Sequence, residues 1–209
     1  MSRLDEERWA GFSARLGADP EIAAAVFRAL DGLHAVPRRP YHGLSHVMQT
    51  LGALDELTGD QPPAAAELAL WFHDAICVPA GDSNEERSAA VLDSIGPSIG
   101  VDAATLGDAT RAILATKRHR EVADEVARLV VDADLSILGQ PTDVYERYAG
   151  AIRAEYGAFG DAEYAAGRAS FLEGLLARNP IFLTGAGVSL YEGRARANIE
   201  RELSKHRGS

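Results

Sequence analysis

Residues 64–76 form an almost wholly apolar segment in the first half of the chain. The segment reads AAAELALWFHDAI, and its only polar side chains are those of Glu67, His73 and Asp74. In a helix of this sequence, apolar side chains surround the axis instead of lying along one side, and such a helix is usually buried. We therefore expect a helix that other parts of the chain enclose.

The rest of the chain also has the pattern of α-helices. Ala, Leu, Glu and Arg recur throughout, apolar residues return every three or four positions, and short segments with Gly and Pro separate the helical stretches. We therefore predict one compact all-α domain spanning residues 1–209. The predicted helices cover residues 3–16, 20–33, 43–58, 63–76, 84–95, 102–117, 121–138, 142–157, 161–178 and 188–205.

Composition narrows the possible partners and the compartment. Apolar residues make up 46% of the 209 residues and charged residues 25%, which is typical of a soluble globular protein. The formal charge of -10 argues against binding to a nucleic-acid polymer, because such binding needs clustered cations. The charged N-terminal sequence lacks the apolar core of a secretory signal, and no apolar run is long enough for a membrane span. Together with the single Cys77, these features predict a cytoplasmic protein without a disulfide framework.

Polar residues occur in helices that should be buried. A buried carboxylate such as Asp74 needs a cation, a metal ion or several hydrogen-bond donors, and a position near a helix C-terminus makes its charge less favourable still. Asp132 and Asp134 flank the apolar stripe of the helix predicted over 121–138. His46 borders the apolar face of the helix over 43–58, four positions after His42. Three such helices could bring these groups together around a divalent cation.

Seven short motifs along the chain combine His, Asp, Glu and basic residues. They are Tyr41-His42-Gly43-Leu44-Ser45-His46, Trp71-Phe72-His73-Asp74, Ser83-Asn84-Glu85-Glu86-Arg87-Ser88-Ala89, Ala115-Thr116-Lys117-Arg118-His119, Asp132-Ala133-Asp134-Leu135, Ile152-Arg153-Ala154-Glu155-Tyr156 and Ala195-Arg196-Ala197-Asn198. This ordered set resembles the HD-domain superfamily of metal-dependent phosphohydrolases, and within it an uncharacterised group of similar length. The resemblance covers residues from about 40 to 203 and implies an HD-type helical bundle, with a motif core over 40–140 and C-terminal helices over 142–205 packed on it.

The resemblance also implies a metal centre. Its ligands would be His46, His73, Asp74 and Asp134, with Asp132 as the alternative to Asp134 or as an outer partner. We expect one divalent ion. Mixed imidazole and carboxylate ligands do not select among Mn, Mg, Co, Ni, Fe and Zn.

Such an ion would lower the pKa of a bound water and polarise a phosphoryl oxygen, so that hydroxide attacks phosphorus. The catalytic residues would be Asp74, through the metal, and Glu85, which would orient or deprotonate the water. Glu85 could instead only stabilise the helix predicted over 84–95, because a negative charge in the first turn interacts favourably with the helix dipole. Five residues are candidates for binding substrate phosphate. They are His42, Lys117, His119, Arg153 and Arg196. Of these, His42 could instead have a structural role, and the residues of the basic run 117–120 could instead be cations at the end of a helix.

The leading hypothesis is therefore a phosphohydrolase that acts on a small phosphorylated substrate, such as a phosphate ester or a nucleotide. The alternative keeps the fold but makes it a metal- or nucleotide-binding regulatory module with little turnover. A third possibility is a helical scaffold whose buried polar residues pair among themselves. Other signals are weaker: Gly185-Ala186-Gly187 lacks the third glycine of a dinucleotide fingerprint and is predicted to be a loop, and Cys77 is interpreted as small apolar filler.

Overall fold

The computed structural model describes residues 3–35, 39–59, 61–119 and 122–207, and these contain α-helices and short 3₁₀ helices but no β-strand. The α-helices are α1 (Arg3–Arg15), α2 (Pro20–His34), α3 (Leu44–Thr58), α4 (Ala64–Phe72), α5 (Asn84–Ile95), α6 (Ala103–Thr116), α7 (Glu125–Leu135), α8 (Thr142–Glu155), α9 (Asp161–Leu176) and α10 (Gly185–Arg207). The 3₁₀ helices cover Gly96–Ile99 and Ser136–Gly139. The predicted all-α fold is confirmed. Arg120 of the basic run and Glu121, the first residue of a predicted helix, lie outside the described residues.

Helix α4 is the enclosed helix that the apolar segment predicts. All of its residues from Ala65 to Phe72 are buried, and α3, α5, α6 and α7 pack against it. The ring of Trp71 lies edge-on to those of Trp9 in α1 and Phe27 in α2, at centroid distances of 5.2 and 6.2 Å. Because α4 is surrounded along its length, the chain that leaves it starts in the interior of the protein.

Glu67 is the one charged residue of α4, and two arginines of α1 compensate it. Its carboxylate lies 2.5 Å from Nη2 of Arg15 and 3.6 Å from Nε of Arg8. Burial nevertheless raises the pKa of Glu67, against the opposing effect of both guanidinium groups. This pairing fixes α1 against the start of α4.

Helix α4 ends at Phe72, four residues before the predicted end, so His73 and Asp74 lie in the turn that follows it. Other side chains satisfy the backbone of this turn. Ser88 of α5 accepts a hydrogen bond from the amide of Ile76 at 3.0 Å and donates to its carbonyl at 3.2 Å. Arg39 donates to the carbonyl of Asp74 at 3.0 Å. These contacts replace the hydrogen bonds of a continued helix.

The last helix starts three residues earlier than predicted, at Gly185. The prediction of a loop at Gly185-Ala186-Gly187 is therefore wrong, because these residues form its first turn. A Cβ atom at Gly187 would collide with the carboxylate of Asp132, so the glycine allows α7 and α10 to approach each other closely. Among the described helices, none combines the length and the apolar character that crossing a membrane requires.

Candidate metal centre and adjoining cavity

Three side chains from distant parts of the chain meet at one point inside the bundle. His46 lies in the first turn of α3, His73 directly follows α4, and Asp134 is the penultimate residue of α7. One ligand atom from each lies within 4.8 Å of the others. The Nε2 atoms of the two histidines are 3.2 Å apart, and Oδ1 of Asp134 is 3.1 Å from His46 and 3.7 Å from His73. Ligand atoms about 2.1 Å from a common ion are about 3 Å apart when adjacent, so this group could hold a metal ion.

Asp74 contacts the same two imidazoles. Its Oδ2 atom lies 3.1 Å from Nε2 of His73 and 3.4 Å from Nε2 of His46. All four residues predicted as ligands are therefore brought together, although they come from two helices, α3 and α7, and from the turn that follows α4. We refer to His46, His73, Asp74 and Asp134 as the ligand cluster.

The hydrogen bonding of His73 suits a metal ligand. Its Nδ1 atom lies 2.9 Å from the carbonyl oxygen of Leu70 and must donate there, because a carbonyl can only accept. A neutral His73 ring then has its lone pair on Nε2, which faces the cluster. Metal-bound histidines commonly make this kind of second hydrogen bond, which fixes the tautomer and the ring orientation.

Opposite charges dominate the cluster. Burial opposes ionisation of Asp74, but His73 and His42 outweigh burial and hold the pKa of Asp74 well below its usual range. Burial also opposes ionisation of Asp134, and hydrogen bonds from His119, His46 and His73 hold its pKa well below the usual range too. The pKa of His73 is raised well above its usual range by Asp74 and Asp134, in spite of burial. A cation would therefore replace the histidine proton as the partner of two carboxylates.

Asp132 is not part of the cluster. It is fully buried on another side of α7, where its carboxylate accepts hydrogen bonds from the amides of Leu183 and Thr184 at 2.7 and 2.8 Å. The hydroxyl of Thr184 donates to it at 2.7 Å. The interpretation of Asp132 as an alternative ligand is therefore wrong: it holds the segment that leads into α10. Burial raises the pKa of Asp132 despite these hydrogen bonds.

A cavity of about 540 Å³ adjoins the cluster. Asp74 and Asp134 line it, with 19% and 16% of their side chains exposed, whereas His46 and His73 lie behind them with 1% exposed. The opposite wall comes from α8, α9 and the loop between them. An ion at the cluster would thus have the two buried histidines on one side and the cavity on the other, where water or a substrate could reach it.

His42 also lines the cavity, and Glu155 at the end of α8 holds it in place. One carboxylate oxygen of Glu155 accepts hydrogen bonds from the backbone amides of Tyr41 and His42, each at 2.8 Å. The other oxygen lies 2.6 Å from Nδ1 of His42. Burial alone would raise the pKa of Glu155, but His42 lowers it. Burial alone would lower the pKa of His42, but Asp74, Cys77 and Glu155 raise it well above its usual range.

Sequence reasoning missed Glu155 and singled out Arg153 from the same motif. A signal was present, because Glu155 follows the buried Tyr148 and Ile152 at helical spacing, which places a carboxylate on an apolar face. This is the pattern that identified the other buried acids.

We expect Glu155→Gln to lower the free energy of unfolding by about 3 kcal/mol, because the change weakens hydrogen bonds of a buried charged group. Chemical denaturation at several pH values measures the loss. The depressed pKa of Glu155 means that its contribution exists above its unfolded value of 4.5 and disappears as pH falls through the lower folded value. The raised pKa of His42 means that its contribution exists below 6.5 and disappears as pH rises through the higher folded value.

The difference between wild type and Glu155→Gln should therefore be largest between pH 4.5 and 6.5. Glu146→Gln on the same helix is the control, because Glu146 pairs with Lys205 at the surface and should contribute far less to stability than Glu155. Equal losses in the two variants would contradict a special role of Glu155.

His119 reaches the cavity in the way the sequence predicts. Its Nε2 atom lies 2.7 Å from Oδ2 of Asp134, and its ring centroid is 6.5 Å from that of Phe171. The backbone has a positive φ of 46°, which is uncommon for a residue other than glycine. Arg178 donates to the carbonyls of Arg118 and His119 and so holds this conformation.

Glu85 lies in the first turn of α5 and lines the cavity together with Asp74 and Asp134. Within the described part of the chain, its carboxylate has no hydrogen-bond or ion-pair partner. The neighbouring Glu86 lies 2.5 Å from Nζ of Lys117 and does not line the cavity. The two consecutive glutamates thus have different surroundings.

Three predicted phosphate-binding residues do not line the cavity beside the ligand cluster in the described structure, and their binding of phosphate stays a prediction. Lys117 is held by Glu86 and by the carbonyl of Asp82. Arg153 lies 2.6 Å from Asp161, and its guanidinium stacks on the ring of Tyr164. Arg196 lies 2.7 Å from Glu192 of its own helix. Each cation is engaged by a neighbouring acid, which a sequence motif cannot reveal.

Arg168 of α9 is a cavity residue that the sequence analysis missed. It is 7% exposed, and its guanidinium donates to both carboxylate oxygens of Glu202 in α10, at 2.8 and 3.2 Å. It also donates to the hydroxyl of Tyr148 at 3.0 Å. Arg168 shares a helical face with the buried Leu172 and Leu175, which was the available signal.

Comparisons of the chain with protein-family models, with curated proteins and with solved structures give no match.

Proposed function

We propose that the protein is a divalent-metal-dependent phosphohydrolase of the HD type, which hydrolyses a phosphate ester in the cavity beside the ligand cluster. The observation that carries the proposal is the meeting of His46, His73 and Asp134 within 4.8 Å, with Asp74 against both histidines. The order of these residues along the chain is that of the HD resemblance. The cavity on the open side of the carboxylates provides room for a substrate.

The division of roles follows from the contacts. His46, His73, Asp74 and Asp134 would hold the ion, and a bound divalent cation supplies a water of lowered pKa and charge stabilisation for a phosphoryl group. His119 contacts Asp134 and lines the cavity, so it would orient Asp134 and donate to a phosphoryl oxygen. Glu85, which lines the cavity and has no partner among the described residues, would accept a proton from the attacking water.

Hydrolysis of the phosphate ester requires water as its only other reactant. The water oxygen forms a new bond to phosphorus while the bond between phosphorus and the ester oxygen breaks. The leaving alkoxide takes up a proton, so the products are an alcohol and inorganic phosphate. His42, which Glu155 holds at the cavity, would supply that proton.

Release of phosphate from a panel of phosphorylated metabolites tests the proposal. Wild type and Asp74→Ala are compared with Mn²⁺, Mg²⁺ or Co²⁺, and metal content is measured on the same samples. Turnover by wild type that is lost in Asp74→Ala supports the proposal. Metal binding without turnover across the panel contradicts it and favours a metal-binding regulatory module.

Glu85→Gln should lower kcat by about 100-fold or more, because a neutral amide cannot take up the proton of the water. Metal affinity should stay within about threefold of wild type, since Glu85 is outside the ligand cluster. Steady-state kinetics and metal titration measure the two effects.

Glu86→Gln is the matched control, because Glu86 is the next residue and pairs with Lys117 away from the cavity. It should leave kcat unchanged. Equal rates for wild type and Glu85→Gln would restrict Glu85 to a role in starting α5.

A further inference from the structure

The cavity wall that faces the ligand cluster is aromatic. Helices α8 and α9 and the loop between them contribute the rings of Tyr148, Tyr156, Phe159, Tyr164 and Phe171. The ring of Tyr156 lies 5.6 Å from that of Phe159 and 6.0 Å from that of Tyr164. These three rings thus form a continuous surface.

Phe171 marks the part of this wall that the protein leaves uncovered. It is 40% exposed, whereas Phe12, Phe27, Phe72 and Phe182 are almost completely buried. Its ring lies near His119, which in turn contacts Asp134 of the cluster. A group that rests on Phe171 would therefore be close to whatever binds at the cluster.

Apart from its histidines, the described lining of this cavity carries little positive charge. Among the described residues that line it, Arg168 is the one Lys or Arg side chain, and Glu202 neutralises it from behind. Glu85 and Glu163 line the cavity as well. Proteins that hold several phosphates use several Lys, Arg or metal contacts. The described wall is thus suited to a part of the substrate that carries no phosphate.

We propose that the substrate is a monophosphate ester of an uncharged molecule with a planar ring. Its single phosphoryl group binds at the ligand cluster, and its ring lies against the aromatic wall with Phe171 at the edge. This inference rests on the proposed phosphohydrolase function and adds the substrate class. Stacking of a ring on aromatic side chains should favour such a substrate by about 10- to 100-fold over one without a ring.

Adenosine 5′-phosphate and ribose 5-phosphate form a matched pair of probes. Both present one phosphoryl group on a primary alcohol, so their leaving groups are alike, and only the first carries a planar ring. Adenosine 5′-triphosphate keeps the ring and adds charge. We expect kcat/KM for adenosine 5′-phosphate to exceed that for each of the other two by at least tenfold.

Variants at Phe171 identify the surface responsible. Phe171→Leu should lower kcat/KM for adenosine 5′-phosphate by about tenfold and leave that for ribose 5-phosphate unchanged, whereas Phe171→Tyr should retain the preference. Leu190→Ala is the control, because Leu190 is also 40% exposed but lies in α10 outside the cavity. It should change neither value.

Calorimetric binding of the same three probes to the Mg²⁺-loaded protein separates this inference from the proposed function. If no probe is turned over, adenosine 5′-phosphate could still bind more tightly than ribose 5-phosphate, and Phe171→Leu could abolish that difference. This result would support the ring site and contradict the phosphohydrolase function. Three results, in turnover or in binding, would overturn the inference. They are equal values for the matched pair, a higher value for the triphosphate than for adenosine 5′-phosphate, and a preference that Phe171→Leu leaves unchanged. The absence of binding to all three probes would overturn it as well.

Discussion

Replacing Asp134 by Ala should weaken Mn²⁺ binding by about 100-fold or more and abolish turnover. Loss of an outer partner of a metal ligand typically lowers affinity 10- to 100-fold, and loss of a ligand should cost at least as much. Asp134 contacts both histidines of the cluster and also His119, so its removal takes away a ligand and an orienting partner together. Titration with Mn²⁺, followed by the free ion, measures the affinity.

Thermal unfolding gives a second measurement that does not depend on knowing the substrate. An ion that binds only the folded state stabilises it by about 2.7 kcal/mol when its concentration is 100 times the Kd. We expect Mn²⁺ to raise the Tm of wild type, a chelator to reverse the rise, and neither to affect Asp134→Ala. A wild-type Tm that is indifferent to both would favour the scaffold interpretation, in which the buried polar groups only pair among themselves.

Asp132→Asn is the control for this prediction. Asp132 is two residues away on the same helix and is also buried, but its hydrogen bonds go to Leu183 and Thr184. The variant should lose about 1–3 kcal/mol of stability, because an amide replaces a buried carboxylate acceptor, and should bind Mn²⁺ like wild type. Loss of metal affinity in Asp132→Asn would mean that a general loosening of α7 explains the Asp134 result.

The contrast between Asp132 and Asp134 shows how far the sequence predicts this site. Periodicity identifies α7 as a buried helix with two carboxylates beside its apolar stripe, and burial means that each must have a partner. Which partner each finds depends on the helices packed against α7. Asp134 faces α3 and the turn after α4, whereas Asp132 faces the approach to α10, and sequence distance carries no information on this choice.

The helices were more predictable than the partners of long side chains. The enclosed α4 follows from local composition, and α5 begins and ends at the predicted residues. By contrast, Arg153 and Arg196 belong to motifs of the HD resemblance, yet both bind acids outside the cavity. A guanidinium on a long, flexible chain can reach any of several acids, so its position along a helix does not determine its contact.

Arg168 is the opposite case, because no motif indicated this cation and the fold leaves only 7% of it exposed. Its replacement should have the largest effect on stability. We expect Arg168→Met to lower the free energy of unfolding by about 3–5 kcal/mol, because Glu202 would be left as a buried carboxylate without its cation. For a domain of this size, that loss corresponds to a fall in Tm of about 6–20 °C. Chemical and thermal denaturation measure it.

Two further variants show whether the charges of the buried pair cause that loss of stability. Lys205→Met makes the same kind of change in an exposed ion pair with Glu146 and should lower stability far less than Arg168→Met. Arg168→Met combined with Glu202→Leu removes both charges, and apolar replacement of a buried pair is often neutral, so most of the stability should return. If the double variant is as unstable as the single one, the hydrogen bonds of Tyr145 and Tyr148 to this pair, and not its charges, hold α8, α9 and α10 together.

The double variant also bears on the substrate. Because Glu202 neutralises Arg168, the guanidinium contributes little net charge to the cavity, and the preference for adenosine 5′-phosphate over ribose 5-phosphate should survive the removal of both residues. A folded double variant that keeps this preference would assign Arg168 to the support of the aromatic wall. A folded double variant that loses activity toward both probes alike would instead make Arg168 a phosphate contact, since the phosphoryl group is what the two probes share.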